Sequence, residues 1–224
     1  MPLPLIALGV AALVSAAGTA VAVRQLRQPL KVMVIGQGLT GKTTLLNSWL
    51  GEWEVDPLRT GLPVKIAKFE VPAKEKVLNV EKKFIFKKVK DISGQDESMR
   101  GFLDDVKAAT AIVYLVNAVD LYQEENRSNG RPHAVEWVRI MDDASRIKRH
   151  CGKAKRVVVG VTHTDLDLRF AALGPATYLA RVTDQLAPAM AKIDKPGQIA
   201  VVAGSLRTEA SAAVFAEQVV GKLL

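Results

Sequence analysis

The hydrophobic positions fall into two regimes along the chain. From Leu3 to Val23 there are 21 residues without a charge, mostly Ala, Val, Leu and Ile, and the first charged side chain is Arg24. A helix of that length rises roughly 30 Å, the hydrocarbon thickness of a bilayer. Arg24, Arg27 and Lys31 follow at once, with nothing basic before the segment, and the positive-inside rule puts the C-terminal side in the cytosol. Residues 1–23 are therefore expected to form a single-pass anchor, and residues 24–30 a basic juxtamembrane linker. Two other readings stay open. A cleaved signal peptide would end near Ala20-Val21-Ala22, but the positive n-region is missing. A buried soluble helix is usually shorter. Gly9, Ala12, Ala16, Gly18 and Ala20 would let a spanning helix pack closely on a partner helix, or are simply compositional.

After Gln28-Pro29 short apolar runs alternate with amphipathic stretches. Lys31–Ile35, Ala111–Val116, Arg156–Val161 and Ile199–Ala203 read as buried strands. Val64–Val71 and Lys83–Val89 alternate more loosely and read as a hairpin. Helical spacing appears over Thr43–Leu50, Glu97–Ala109, His133–Arg149, Pro175–Ala187 and Thr208–Leu223, with Pro188 expected to end or kink the fourth of these. Strands alternating with helices predict an α/β domain over residues 31–224. It would have three layers and a mostly parallel six-stranded sheet, with the hairpin supplying one antiparallel edge strand, and the apolar helix would precede it.

Composition changes this picture only locally. The 224 residues include 31 Lys+Arg against 23 Asp+Glu, a formal charge of +8. Arg24, Arg27 and Lys31 hold three of those charges. Between Lys65 and Lys90 nine lysines face only Glu70, Glu75 and Glu81, so the rest of the chain is close to neutral. The basic stretch is a candidate contact for anionic lipid headgroups or an acidic protein, or else a solvated hairpin whose lysines discourage edge pairing. Its few aromatics, Phe69, Phe84 and Phe86, are already used by the sheet pattern, which argues against a nucleic-acid surface. A lone cysteine, Cys151, excludes an intramolecular disulfide framework.

The chemistry begins after the first strand. Gly36-Gln37-Gly38-Leu39-Thr40-Gly41-Lys42-Thr43 matches G-x-x-x-x-G-K-[ST] in full, and Thr44 continues it into the helix. Glycines let backbone N–H groups wrap a phosphate chain, the lysine reaches the β/γ-phosphates, and the threonine hydroxyl suits Mg²⁺. The helix N-terminus favours the same negative charge. The loop specifies a nucleoside triphosphate but not its base.

Four further segments resemble elements of the small GTPases, the Arf-like branch most of all. Asp91-Ile92-Ser93-Gly94-Gln95 is similar to D-x-x-G-Q and runs on as Asp96-Glu97-Ser98-Met99-Arg100. Thr60-Gly61 resembles the switch threonine. Thr162-His163-Thr164-Asp165 is similar to the guanine-reading [NT]-K-x-D, with His163 where the family usually carries lysine. Ala203-Gly204-Ser205-Leu206 resembles the last base-contacting loop. An apolar anchor directly before such a domain also resembles the layout of signal recognition particle receptor β subunits.

The resemblance implies a P-loop NTPase of the small-GTPase type that binds GTP/GDP with Mg²⁺ and hydrolyses GTP slowly. Thr43, Thr60 and Asp91 would serve the metal, Thr60 and Gly94 would sense the γ-phosphate, and Gln95 and Lys42 would be catalytic. Thr162, His163, Asp165, Ser205 and Leu206 would hold the base. Asp165 accepts from guanine N1–H and N2–H, which adenine does not offer. Through its switches the domain would recruit a cytosolic effector or a receptor-complex protein. A docking subunit that keeps GTP bound, and an ATP-hydrolysing P-loop enzyme, remain alternatives.

Overall fold

A computed structural model describes residues 30–50, 70–75, 80–88, 109–121, 135–150, 156–193 and 199–223. The expected anchor, nearly all of the basic linker, the amphipathic stretch 97–108 and Thr60, Asp91, Gly94 and Gln95 lie outside the described residues. Among the described residues no helix is long and apolar enough to cross a membrane.

Strands β1 (Leu30–Gly36), β4 (Ala111–Asn117), β5 (Arg156–Thr162) and β6 (Ile199–Ala203) run parallel, side by side. On the other side of β1 the backbone of β3 (Val80–Lys88) is also parallel to it, with Leu30 opposite Phe84. The backbone of β2 (Glu70–Glu75) pairs antiparallel with β3. The sheet order is β2-β3-β1-β4-β5-β6. Of the loosely alternating stretch Val64–Val71 only Glu70 and Val71 are among the described residues, and both belong to β2, which passes through Pro72. Proline donates no ladder bond, and an edge strand is where a sheet tolerates it.

β1, β4 and β5 read as unbroken apolar runs because both of their faces are covered. Met33, Ile35, Ile112, Tyr114, Val116, Val157, Val159 and Val161 pack with helices α2 (Val135–His150) and α3 (Leu168–Ile193). Val32, Val34, Val113, Leu115 and Val158 pack on the opposite face with α1 (Lys42–Leu50) and α4 (Glu209–Leu223). The fold is thus α/β, with helices on both faces of a parallel sheet. Phe215 of α4 is 1% exposed and lies where side chains at Gly160 and Gly204 would stand. Burying a ring of that size contributes roughly 2–3 kcal/mol. Trp49 Nε1 donates to Ala216 O (3.3 Å) and fastens α1 to α4.

α3 departs from the sequence pattern at both ends. It starts at Leu168, where the Asp167 carboxylate accepts from the Arg169 N–H, and it runs past Pro188 to Ile193. Buried Leu186, Ala189 and Ile193 hold the last turns against the core, and that packing outweighs the lost hydrogen bond and the ring clash at Pro188. The real break is Gly174, with φ 72° and ψ 163°, a conformation essentially restricted to glycine. Pro175 opens the second segment, where its missing N–H costs nothing.

Beneath the sheet Tyr114 Oη donates to Asp143 Oδ2 on α2 (3.2 Å), and Asp143 is 7% exposed. Burial pushes its carboxyl above the usual range, opposed by the Tyr114 bond and by Arg146. A carboxyl whose pKa is raised on folding binds more protons in the native state, so its contribution weakens as pH climbs above the unfolded value. Asp143→Asn keeps an acceptor for Tyr114 without the charge. It is expected to raise the melting temperature at pH 7, with the gain vanishing as pH falls below the ordinary carboxylate range. Melts at several pH values check this, and a gain independent of pH would contradict it.

Candidate functional site

Parallel strands that end in register bring their following loops together, and ligands of open α/β sheets sit outside those carboxyl ends. Gly36 pairs with Leu115, Asn117 with Thr162, and Val161 with Ala203. The loops after β1, β5 and β6 therefore converge on one edge of the sheet.

The first loop is shaped by its backbone. Gly36 has φ 151°, Leu39 has φ 63° and Gly41 has φ 80°. Left-handed residues among right-handed ones turn successive N–H groups into a concave nest that suits an anion. A Cβ on Gly36 would stand 2.5 Å from Leu115 O and 2.9 Å from Thr40 Oγ1, and one on Gly41 would meet the Leu206 side chain. Both glycines are required for space as well as for φ. Leu39 carries no such exemption. A bulky left-handed residue costs roughly 1–2 kcal/mol, and its side chain is 67% exposed.

The loop is also tied from within. Thr40 Oγ1 donates to Gln37 O at 2.9 Å. The Lys42 ammonium donates to Gly36 O at 2.9 Å and to Gln37 O, and Lys42 is 8% exposed. The ammonium is thus held over the loop rather than extended into solvent. Thr43 and Thr44 lie half-buried in the first turn of α1, and Gly38 is exposed at the loop tip. The Leu45 N–H reaches Gly41 O at 2.9 Å and begins the helical ladder.

The loop after β5 clasps the first one. Thr162 is fully buried, and its Oγ1 lies 3.1 Å from Thr40 O, 3.2 Å from Val116 O and 3.0 Å from His163 Nδ1. The Thr162 hydroxyl carries a single proton, which these three neighbours share as a buried junction between the two loops. Burial pushes the His163 pKa down, with Asp165 opposing. His163 itself is left-handed (φ 58°, ψ 34°) and leads into a single 3₁₀ turn, Thr164–Leu166.

The third loop closes on the second. Ser205 Oγ donates to Asp165 Oδ1 at 2.6 Å, and the Gly204 N–H bonds Val161 O at 2.9 Å. Arg207 Nη1 lies 3.9 Å from Asp165 Oδ2 with its own side chain 74% exposed, a pair that solvent largely screens. Leu206 is 6% exposed and packs against Gly41.

The structure therefore brings together Gly36 to Thr44, Thr162, His163, Asp165, Ser205 and Leu206. Thr60, Asp91, Gly94 and Gln95 lie outside the described residues. Among the described residues no three or more His, Cys, Asp or Glu side chains converge as metal ligands. Leu39 as a left-handed residue, and Leu206 as the side chain that fills the space above Gly41, have no signature in the sequence. Both emerge only from the folded backbone.

No protein-family model matches the chain, and no curated protein matches it. Among solved structures it is similar to Methanosarcina barkeri Roco2 RocCORdC bound to GDP, with 19% identity, a TM-score of 0.50, and 88% of this chain and 49% of that chain covered. It is similar also to two SsGBP mutation variants, with TM-scores of 0.55 and 0.54 and identities of 12% and 13%. These matches cover 87% of this chain and 56% and 55% of theirs. The chain spans about half the length of these proteins. At such identities the likeness is one of fold, and the fold with its loop defines an α/β P-loop domain.

Proposed function

We propose that the domain binds a guanine nucleotide. The observation that carries this is the convergence at one sheet edge of two unlike sites. One is a backbone nest with a lysine ammonium, which suits a phosphate chain. The other is a carboxylate, Asp165, oriented by Ser205. An acceptor-only carboxylate matches the N1–H and N2–H donors of guanine and finds no such pair on adenine. Gly36 and Gly41 take positive φ within this loop, and the GDP bound to the Roco2 protein is consistent with this reading.

The rest of the reading extends the resemblance to the small GTPases, and to their Arf-like branch. Mg²⁺ would be held by Thr43 at the start of α1, with Thr60 and Asp91, and would neutralise charge on the phosphates. Thr60 and Gly94 order the two switches around the γ-phosphate. Gln95 orients the attacking water, and intrinsic hydrolysis is slow. Residues 3–23 anchor the chain in a membrane with the domain on the cytosolic side, as in the signal recognition particle receptor β layout. The Lys65–Lys90 stretch meets anionic headgroups or an acidic protein, and the switches recruit a cytosolic partner.

Competition against a fluorescent GDP probe tests the central claim. Unlabelled GTP and GDP are expected to displace it with Mg²⁺ present, and ATP and ADP to fail at the same concentrations. Equal displacement by ATP would point to an adenine-accepting P-loop enzyme instead.

A further inference from the structure

Beside the base-reading turn lies a buried polar cluster with no part in the functions assigned so far. Asp167 is 3% exposed, and its carboxylate is enclosed by donors. Arg169 Nε reaches Oδ1 and Oδ2 at 3.0 and 3.1 Å, Arg169 Nη2 reaches Oδ2 at 2.7 Å, and the Arg169 backbone N–H reaches Oδ1 at 3.0 Å. Tyr178 Oη donates to Oδ2 at 2.8 Å. These bonds hold the carboxyl below its usual range despite its burial. Arg169 Nη1 continues to Gln185 Oε1 (3.1 Å), and Gln185 Nε2 to Leu121 O (3.2 Å), beyond the end of β4. Phe170 meets the Tyr178 ring edge-on at 5.1 Å.

We infer that Asp167, Arg169 and Tyr178 are positioning residues that aim the Asp165 carboxylate at the purine. The inference rests on the guanine reading proposed above. A buried ion pair of this kind yields little net stability against an apolar replacement, so its use lies in fixing geometry. Asp167 is the residue that closes the 3₁₀ turn, with its N–H on Thr164 O at 3.2 Å. Thr164 is 1% exposed, and its N–H faces Gly204 O at 3.5 Å. Asp165 thus lies on a three-residue turn clamped at both ends. Its upstream clamp is Thr162, and its downstream clamp is this cluster. The cluster exists because Gly174 breaks α3, so that Tyr178 of the second segment meets Asp167 ahead of the first.

The test compares GDP with IDP, whose base lacks the N2 amino group, on the full chain. Wild type is expected to prefer GDP, because Asp165 uses both donors. Tyr178→Phe and, separately, Asp167→Asn are expected to shrink the GDP:IDP affinity ratio by about tenfold. A merely structural role would lower the melting temperature and leave that ratio unchanged, which would overturn the inference. In an Asp165→Ala background Tyr178→Phe is expected to have no further effect on GDP affinity, since coupled residues are non-additive. Additive losses there would also overturn it. A wild-type protein that binds GDP no better than ADP would remove the guanine reading itself, whereas guanine preference with an unchanged ratio in both variants would remove this inference alone.

Discussion

Lys42→Ala is expected to weaken GTP and GDP binding by about ten- to a hundredfold, the largest loss from any single side chain of the phosphate loop. The ammonium is held by Gly36 O and Gln37 O, so its position over the loop is set before a ligand arrives. A positioned cation loses little freedom when phosphate replaces solvent, and a hydrogen bond to a charged group is worth about 1.5–3 kcal/mol. At 1.4 kcal/mol per decade, one such bond accounts for up to about a hundredfold. The α1 N-terminus and the nest of N–H groups remain in the variant, so binding is weakened rather than erased. Calorimetric titration with GDP and GTP measures the effect. The melting temperature of the nucleotide-free variant is expected to move far less than the affinity, which separates lost ligand contact from lost fold. Unchanged affinity would mean that the phosphates do not sit in this loop.

The parts legible in the sequence are those fixed by short-range physics. β1, β4 and β5 are covered on both faces, so their residues form continuous β-branched runs that few other environments tolerate. The phosphate loop is legible because its glycines are needed within six positions of one another. α3 is not, because its extent depends on distant contacts. Pro188 reads as a stop, yet Ala189 and Ile193 bury against the sheet and carry the helix onward. β2 is illegible for the opposite reason. Glu70–Glu75 spells EVPAKE, with no apolar alternation and a proline inside it, and the stretch before it alternates better than it does.

The site divides along the same line. Which residues belong to it follows from spacing within each loop, but how they meet does not. Thr162 reaches Thr40 across 122 positions, and Ser205 reaches Asp165 across 40. No local rule encodes either contact. His163 is the sharpest instance. Its residue type suggests a titration near neutral pH, whereas the fold largely encloses the ring, sets Nδ1 against the Thr162 hydroxyl and pushes the pKa down.

Asp165→Asn is expected to move base preference from guanine toward xanthine, with GDP affinity falling about a hundredfold and XDP rising above GDP. Guanine offers two donors, N1–H and N2–H, and the carboxylate accepts both while Ser205 occupies part of Oδ1. An amide in its place keeps one acceptor and turns the other atom into an NH₂ donor, which opposes the guanine amino group. Xanthine carries a carbonyl at that position, so the same donor now finds an acceptor. A site built to hydrogen-bond a ligand's donors rejects the mismatched ligand strongly, since each group left unpaired under the bound base costs about 1–3 kcal/mol and one substitution here creates two. The phosphate loop is untouched by the change. The summed affinity for a diphosphate therefore stays within reach of measurement, and only the base term reverses. Parallel titrations of both proteins with GDP and XDP read the reversal directly. A variant that still preferred GDP would show that Asp165 does not face the Watson–Crick edge of the base, however well Ser205 holds it in place.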